Sequence, residues 1–153
     1  MRWRFRPTPS QPLWANPCIK IEKQTMEVAI QKLAIVSFYI IGLSHIFQPR
    51  VWAKFFIDLR SKGEIGSFIN AFIHFPLGAL IVAFHNVWQG VPIILTLMGY
   101  AWSLKGFIYF VFPQRGLKIM SRVSLERSWE FIVAGVVILS IGSLLLYSLM
   151  SKP

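Results

Sequence analysis

Few side chains in this 153-residue chain can carry chemistry, and several of them share one helical face. Ser67, Asn70 and His74 follow at i, i+3, i+7, and Gly78, Ile81 and His85 continue the same stripe. Inside a membrane, His and Asn are functional candidates by default, because an unpaired polar group there is costly. The same stripe could instead supply interhelical hydrogen bonds that only aid packing, worth about 0.6 kcal/mol each. A set limited to Ser, Asn and His is the usual packing set, which favours that second use. Lys105 lies seven residues before Phe112, about 10 Å along a helix. It can snorkel to the nearer interface, the favoured reading, or pair with Glu130, which opens the next apolar run. His74, Asn70, Lys105 and Glu130 are therefore the candidate ligand-binding residues.

Other chemistry finds no constellation. The chain contains no HExxH, CxxC, GxSxG, P-loop or GxGxxG motif, and no Asp falls inside an apolar run. No catalytic residue, metal site or cofactor is expected. Glu64 and Glu130 each open a helix, where a negative charge complements the helix dipole. His45 reads as interfacial, and its depth differs from that of His74 by about 10 Å, which argues against a shared haem or metal. The one cysteine, Cys18, cannot form an internal disulfide.

These residues must be positioned by apolar helices. The chain carries 16 Lys and Arg against 6 Asp and Glu, yet is 55% hydrophobic, 15% aromatic and only 14% charged. Soluble domains hold about 25% charged residues, so this chain has too little polar surface to face water on all sides. Four stretches approach the roughly 20 apolar residues that cross a bilayer: about Val28 to Phe47, Ile65 to Phe84, Val91 to Phe112 and Trp129 to Met150. Without a barrel pattern, such spans must be helices.

The connections differ in kind. HNVWQG, between the second and third spans, is a tight uncharged turn, so those helices are antiparallel neighbours. The other two connections each start with a proline and are basic. In PRVWAKFFIDLR, Trp52, Phe55, Phe56 and Leu59 recur at helical spacing opposite Arg50, Lys54 and Asp58. In PQRGLKIMSRVSLER, Leu117, Met120 and Val123 oppose Lys118, Arg122 and Glu126. Both read as amphipathic helices lying in the membrane surface, apolar face down.

Sliding the chain on itself by 64 positions pairs Gly42 with Gly106, Pro49 with Pro113, Lys54 with Lys118, Gly78 with Gly142 and Leu80 with Leu144. The expected fold is thus all-α: an integral membrane four-helix bundle of two parallel hairpin repeats, about 28–86 and 91–150, each with an amphipathic interfacial helix. Residues 26–150 form the membrane domain. Residues 1–25 are a Pro-rich basic tail, either disordered or upstream of a true start at Met26, and lack the apolar core of a signal peptide. Arg50, Lys54, Arg60, Lys62, Arg115, Lys118, Arg122 and Arg127 all sit in the two basic connections, which the positive-inside rule places in the cytoplasm.

GLSHIFQPRVWAKFF in the first unit, and KGFIYFVFPQRGLKIM with IVAGVVILSIGSLLLYSL in the second, resemble the YjeT-like small bacterial membrane hairpin proteins. The resemblance covers roughly Ile40 to Ser148 as two copies. It implies the hairpin fold and a bacterial plasma (inner) membrane, and implies no activity, since that family's function is unknown. The four-span layout also looks broadly like the DoxX-type proteins.

The expected function is a non-catalytic packing or accessory module that acts with itself or a larger membrane complex through its small-residue faces, Gly135 with Gly142 and Ala71 with Gly78. The alternative is a binder or carrier of a small apolar molecule, a quinone or lipid, between the repeats; a membrane enzyme ranks third. The basic residues beside interfacial aromatics suit anionic headgroups, at about 1 kcal/mol per basic residue, better than nucleic acid. The charge asymmetry yields a first prediction. In a Cys18→Ser background, cysteine at Val87 should react with an impermeant thiol reagent in intact cells, while cysteine at Ser61 or Ser124 should stay unlabelled. The reverse pattern would invert the orientation.

Overall fold

A computed structural model describes residues 17–151, with side chains from 21 to 151. Among these residues there are six helices and no strand: α1 (Pro17–Phe47), α2 (Pro49–Ser61), α3 (Glu64–Phe84), α4 (Ile93–Val111), α5 (Pro113–Met120) and α6 (Trp129–Met150). α1, α3, α4 and α6 are long and apolar enough to cross a membrane, with mean hydropathies of 1.6, 1.8, 1.4 and 2.4. At most 33% of any of these spans is buried within the protein, so most of the apolar surface faces outward. Only lipid can cover that much hydrocarbon, and the chain is a membrane-embedded helical protein.

The element boundaries have local causes. Proline disfavours helical backbone in the residue before it, and both Gln48 (φ −130°, ψ 48°) and Phe112 (φ −127°, ψ 66°) leave the helical region ahead of Pro49 and Pro113. Each proline then opens a new helix at a position where an amide hydrogen would have no partner. α2 passes into α3 through Gly63, whose φ of +62° suits glycine alone. α1 begins well before Val28, the start read from apolar residues, because residues 17–27 are polar but helical. The remainder of the Pro-rich tail, residues 1–16, lies outside the described residues.

The helices associate as two tight pairs, α1 with α6 and α3 with α4, while α1 and α3 touch at fewer points. Glycines set the spacing. A Cβ on Gly42 would lie 2.8 Å from Leu139 Cγ, and one on Gly135 would lie 2.7 Å from the Gly42 carbonyl oxygen. In the other pair, a Cβ on Gly106 would stand 2.7 Å from Phe75 Cα, and one on Gly78 2.8 Å from the Gly99 carbonyl oxygen. Gly142 packs on Phe38 and Ala71 is fully buried. The small residues expected to receive a partner are therefore used within the chain.

Side-chain hydrogen bonds tie the ends of both pairs. The Gln31 amide donates to the Leu145 carbonyl at 3.0 Å, satisfying a polar group that is 2% exposed. Between α3 and α4, Thr96 is the hub of the turn: its hydroxyl lies 2.8 Å from the Val87 carbonyl, takes the Val87 amide hydrogen at 3.1 Å and sits 3.3 Å from His85 Nδ1. His85, the last residue of the polar stripe, thus belongs to the turn.

Gly78→Ala should separate α3 from α4 despite alanine's higher helix propensity. We expect a loss of about 1–3 kcal/mol in unfolding titrations from detergent micelles. Ala83→Gly, at an exposed position on the same helix, should cost no more than about 1 kcal/mol.

Candidate functional site

Helical spacing carries Ser67, Asn70 and His74 along the face of α3 that meets α4. His74 Nδ1 stands 2.9 Å from the Asn70 carbonyl oxygen one turn back. That oxygen can only accept, so Nδ1 holds the hydrogen and Nε2 of the neutral ring keeps a lone pair. Lys105 Nζ on α4 donates to it at 2.9 Å. The ammonium also lies 5.9 Å from the centre of the Tyr109 ring, within cation–π range. Ser67 Oγ donates to the Tyr109 carbonyl at 3.0 Å. Ser67, Asn70 and Tyr109 are each no more than 2% exposed. The result is a polar seam between α3 and α4.

This arrangement corrects two expectations for Lys105. It neither snorkels nor pairs with Glu130. A half-buried imidazole acceptor on the neighbouring helix satisfies the ammonium, and reaching for water would forfeit that bond. Glu130 instead binds Arg127, whose Nε donates to Oε1 at 2.7 Å, so it takes no part in the seam. Among the described residues, the ion pairs are Lys23–Glu27 and Arg127–Glu130; the Lys105 ammonium has hydrogen bonding but no carboxylate.

His74 also forms one wall of a cavity of about 180 Å³, whose other walls include His45, Trp52, Phe55, Phe56 and Trp102. The bend at Pro49 folds α2 back so that Trp52 covers His45, ring centres 4.3 Å apart and stacked at 27°. The Trp52 indole donates to Ser44 Oγ at 2.9 Å, locking the cover in place. Phe56 stacks on Phe131 of α6 at 5.8 Å. The apolar face of α2, expected to rest on lipid, thus packs in part on α1 and α6, because the tight chain reversal leaves its aromatics within reach of both.

His45, read from the sequence as interfacial and set apart from His74 by depth, joins it at the cavity. His45 and His74 differ in position along their helices, yet their rings line one cavity because α2 roofs it from the side. Trp52, seven residues past His45 and beyond a proline, was the available signal. Asn70 and Lys105 do not line the cavity; they stand behind His74. No group of three or more His, Cys, Asp or Glu side chains gathers among the described residues. Two larger recesses, about 460 and 270 Å³, flank the start of α1, where residues 21–26 are all exposed. They present no aromatic pocket with converging polar groups.

The fold and site define a four-span helical membrane protein with a small aromatic cavity backed by a polar seam. Compared with known protein families, curated proteins and solved structures, the chain matches none.

The seam predicts non-additive energetics. His74→Leu strands the Lys105 ammonium and should destabilise the protein by about 1–3 kcal/mol. Lys105→Met removes the need for the acceptor and should cost less, while the double variant should be more stable than His74→Leu alone. A double-mutant cycle in detergent measures this; additive effects would mean that the two side chains do not interact.

Proposed function

We propose that this protein binds or carries a small apolar molecule in the aromatic cavity between its two helix pairs. The observation that carries the reading is the cavity itself: apolar walls, four aromatic side chains and two imidazoles converging on about 180 Å³. A packing or accessory role through Gly135, Gly142, Ala71 and Gly78 is disfavoured, since those residues already meet helices of the same chain.

The cavity lies where two parallel hairpin repeats would meet, α1–α3 and α4–α6, each the counterpart of one YjeT-like hairpin. The support comes from contacts 64 residues apart. Gly42 against Leu139 has its counterpart in Gly106 against Phe75, and Gly78 against Ser103 in Gly142 against Tyr39. Phe38 and Trp102 are counterparts of each other and meet edge to face at 6.0 Å, as residues on a twofold axis do. Gln48 and Phe112, with nearly the same backbone angles, are a further such pair. The site breaks this symmetry. His74 corresponds to Ile138, Lys105 to Ile41, His45 to Tyr109 and Trp52 to Gly116, so both imidazoles lie in one copy and the other holds Lys105 and Tyr109.

The membrane is a bacterial plasma (inner) membrane, with α2 and α5 at its cytoplasmic surface. Their lysines and arginines suit anionic headgroups, and Lys54 and Lys118 hold matching places in the two copies. The cavity then opens near the cytoplasmic leaflet.

Protein purified in mild detergent should retain a small apolar compound, detected by solvent extraction and mass spectrometry. Trp52→Ala and Trp102→Ala should each lower its occupancy at least several-fold while the protein stays monodisperse. No bound compound, together with a stoichiometric membrane-protein partner, would favour the accessory role instead.

A further inference from the structure

The cavity does not end at its aromatic walls. Ile41, Leu77 and Trp102 also line a narrower space of about 70 Å³, which continues past Phe38 and Leu80 to Ile30 and Ile81. The two spaces are neighbours along α1 and α3 that share those three wall residues, and we read them as one slot. From His45 to Ile30 it follows α1 for about 22 Å at 1.5 Å per residue. Leu33 and Leu77 on its rim are 51% and 44% exposed, so the slot opens sideways to lipid. One end is wide and aromatic, the other narrow and wholly aliphatic apart from Phe38, Trp102 and Ser37.

Each part limits the occupant. About 150 Å³ suffices for benzene, so about 180 Å³ holds one six-membered ring. Trp52 and Trp102 offer aromatic surfaces for such a ring. A phosphate head is a poor match, because the nearby cation, Lys105, is turned to His74. The narrow end takes a single hydrocarbon chain.

The imidazoles specify the polar group. His45 Nδ1 lies 2.8 Å from the Ile41 carbonyl oxygen, an acceptor only, so the hydrogen is on Nδ1. Nε2 of the neutral ring is then an acceptor, and among the described residues no hydrogen bond reaches it. His74 has both ring nitrogens committed, to Asn70 and Lys105. The one polar atom that His45 and His74 leave uncommitted is therefore a lone pair, which calls for a ligand that donates.

We propose, resting on the binding role above, that the occupant is a single-tailed quinol: a hydroxylated ring in the aromatic end with its O–H donated to His45 Nε2, and its apolar tail in the slot along α1 and α3. A quinone or an ether, having only acceptors, lacks that bond.

The test compares an alkyl benzoquinol, its dimethyl ether, the tail-less quinol and an alkanol of equal chain length. Each is titrated anaerobically into the full chain in detergent at matched mole fractions, and dissociation constants are taken from the rise in melting temperature. The alkyl quinol should bind at least tenfold tighter than its dimethyl ether and tighter than the alkanol. His45→Phe, which preserves the ring stacking, should erase the gap between quinol and ether while still binding both. Leu80→Trp, which fills the narrow end and lies outside the ring cavity, should weaken the alkyl quinol several-fold and leave the tail-less quinol unchanged. Equal binding of quinol and ether by the unaltered protein, a gap that survives His45→Phe, or an alkanol as tight as the quinol would overturn the assignment while leaving an apolar-ligand role standing. No binding by any of the four would overturn both.

Discussion

The architecture depends on how closely two pairs of helices approach one another. Where α1 meets α6 and α3 meets α4, backbone replaces side chain at the contact: Gly42 and Gly135 in one pair, Gly78, Gly99 and Gly106 in the other. In lipid, helices gain nothing by hiding apolar side chains from hydrocarbon, so close packing and hydrogen bonds must hold them together. Spending the small residues within the pairs has a geometric result. The bulkier Phe38, Leu77 and Trp102 are left where the pairs face each other, and large side chains meeting there leave the slot that closely apposed glycines would close.

Polar satisfaction is the second constraint, and it is met locally. Gln31 uses a carbonyl of α6, Thr96 collects the turn after α3, and Lys105 is held by an imidazole rather than a carboxylate. A neutral acceptor beside the ammonium leaves a net positive charge within the bundle. That charge is compatible with the polar seam of Asn70 and Tyr109 around it, and it stands one residue layer behind the cavity wall.

Much of the fold was legible in the sequence because spans and breaks have short-range causes. Length and hydropathy place α3, α4 and α6 to within a few residues, and Pro49 and Pro113 mark where α2 and α5 start. The beginning of α1 was not legible, since residues 17–27 are too polar to be read as part of a span. The site was legible only in part. Periodicity put Asn70 and His74 on one face, but which side chain answers Lys105 depends on the rotation of α3 about its axis, and depth alone pointed to the interface or to Glu130. His45 was obscured for a different reason. Its environment is created by a chain reversal, and a helical-wheel argument confined to one helix does not see Trp52 returning over it.

The pairing of α1 with α6 also bears on how the protein is made. α3 and α4 are joined by a short turn and can associate as soon as both have left the ribosome, whereas α1 waits for α6, the last of the six helices to be synthesised. The Gln31 amide and its acceptor are 114 residues apart, which at 5–20 residues per second corresponds to roughly 6–23 s of elongation. Throughout that interval α1 sits in the bilayer with an amide unpaired by its native partner and a glycine groove unfilled. Both are filled only by α6, so the α1–α6 half of the bundle cannot close before synthesis has passed Leu145.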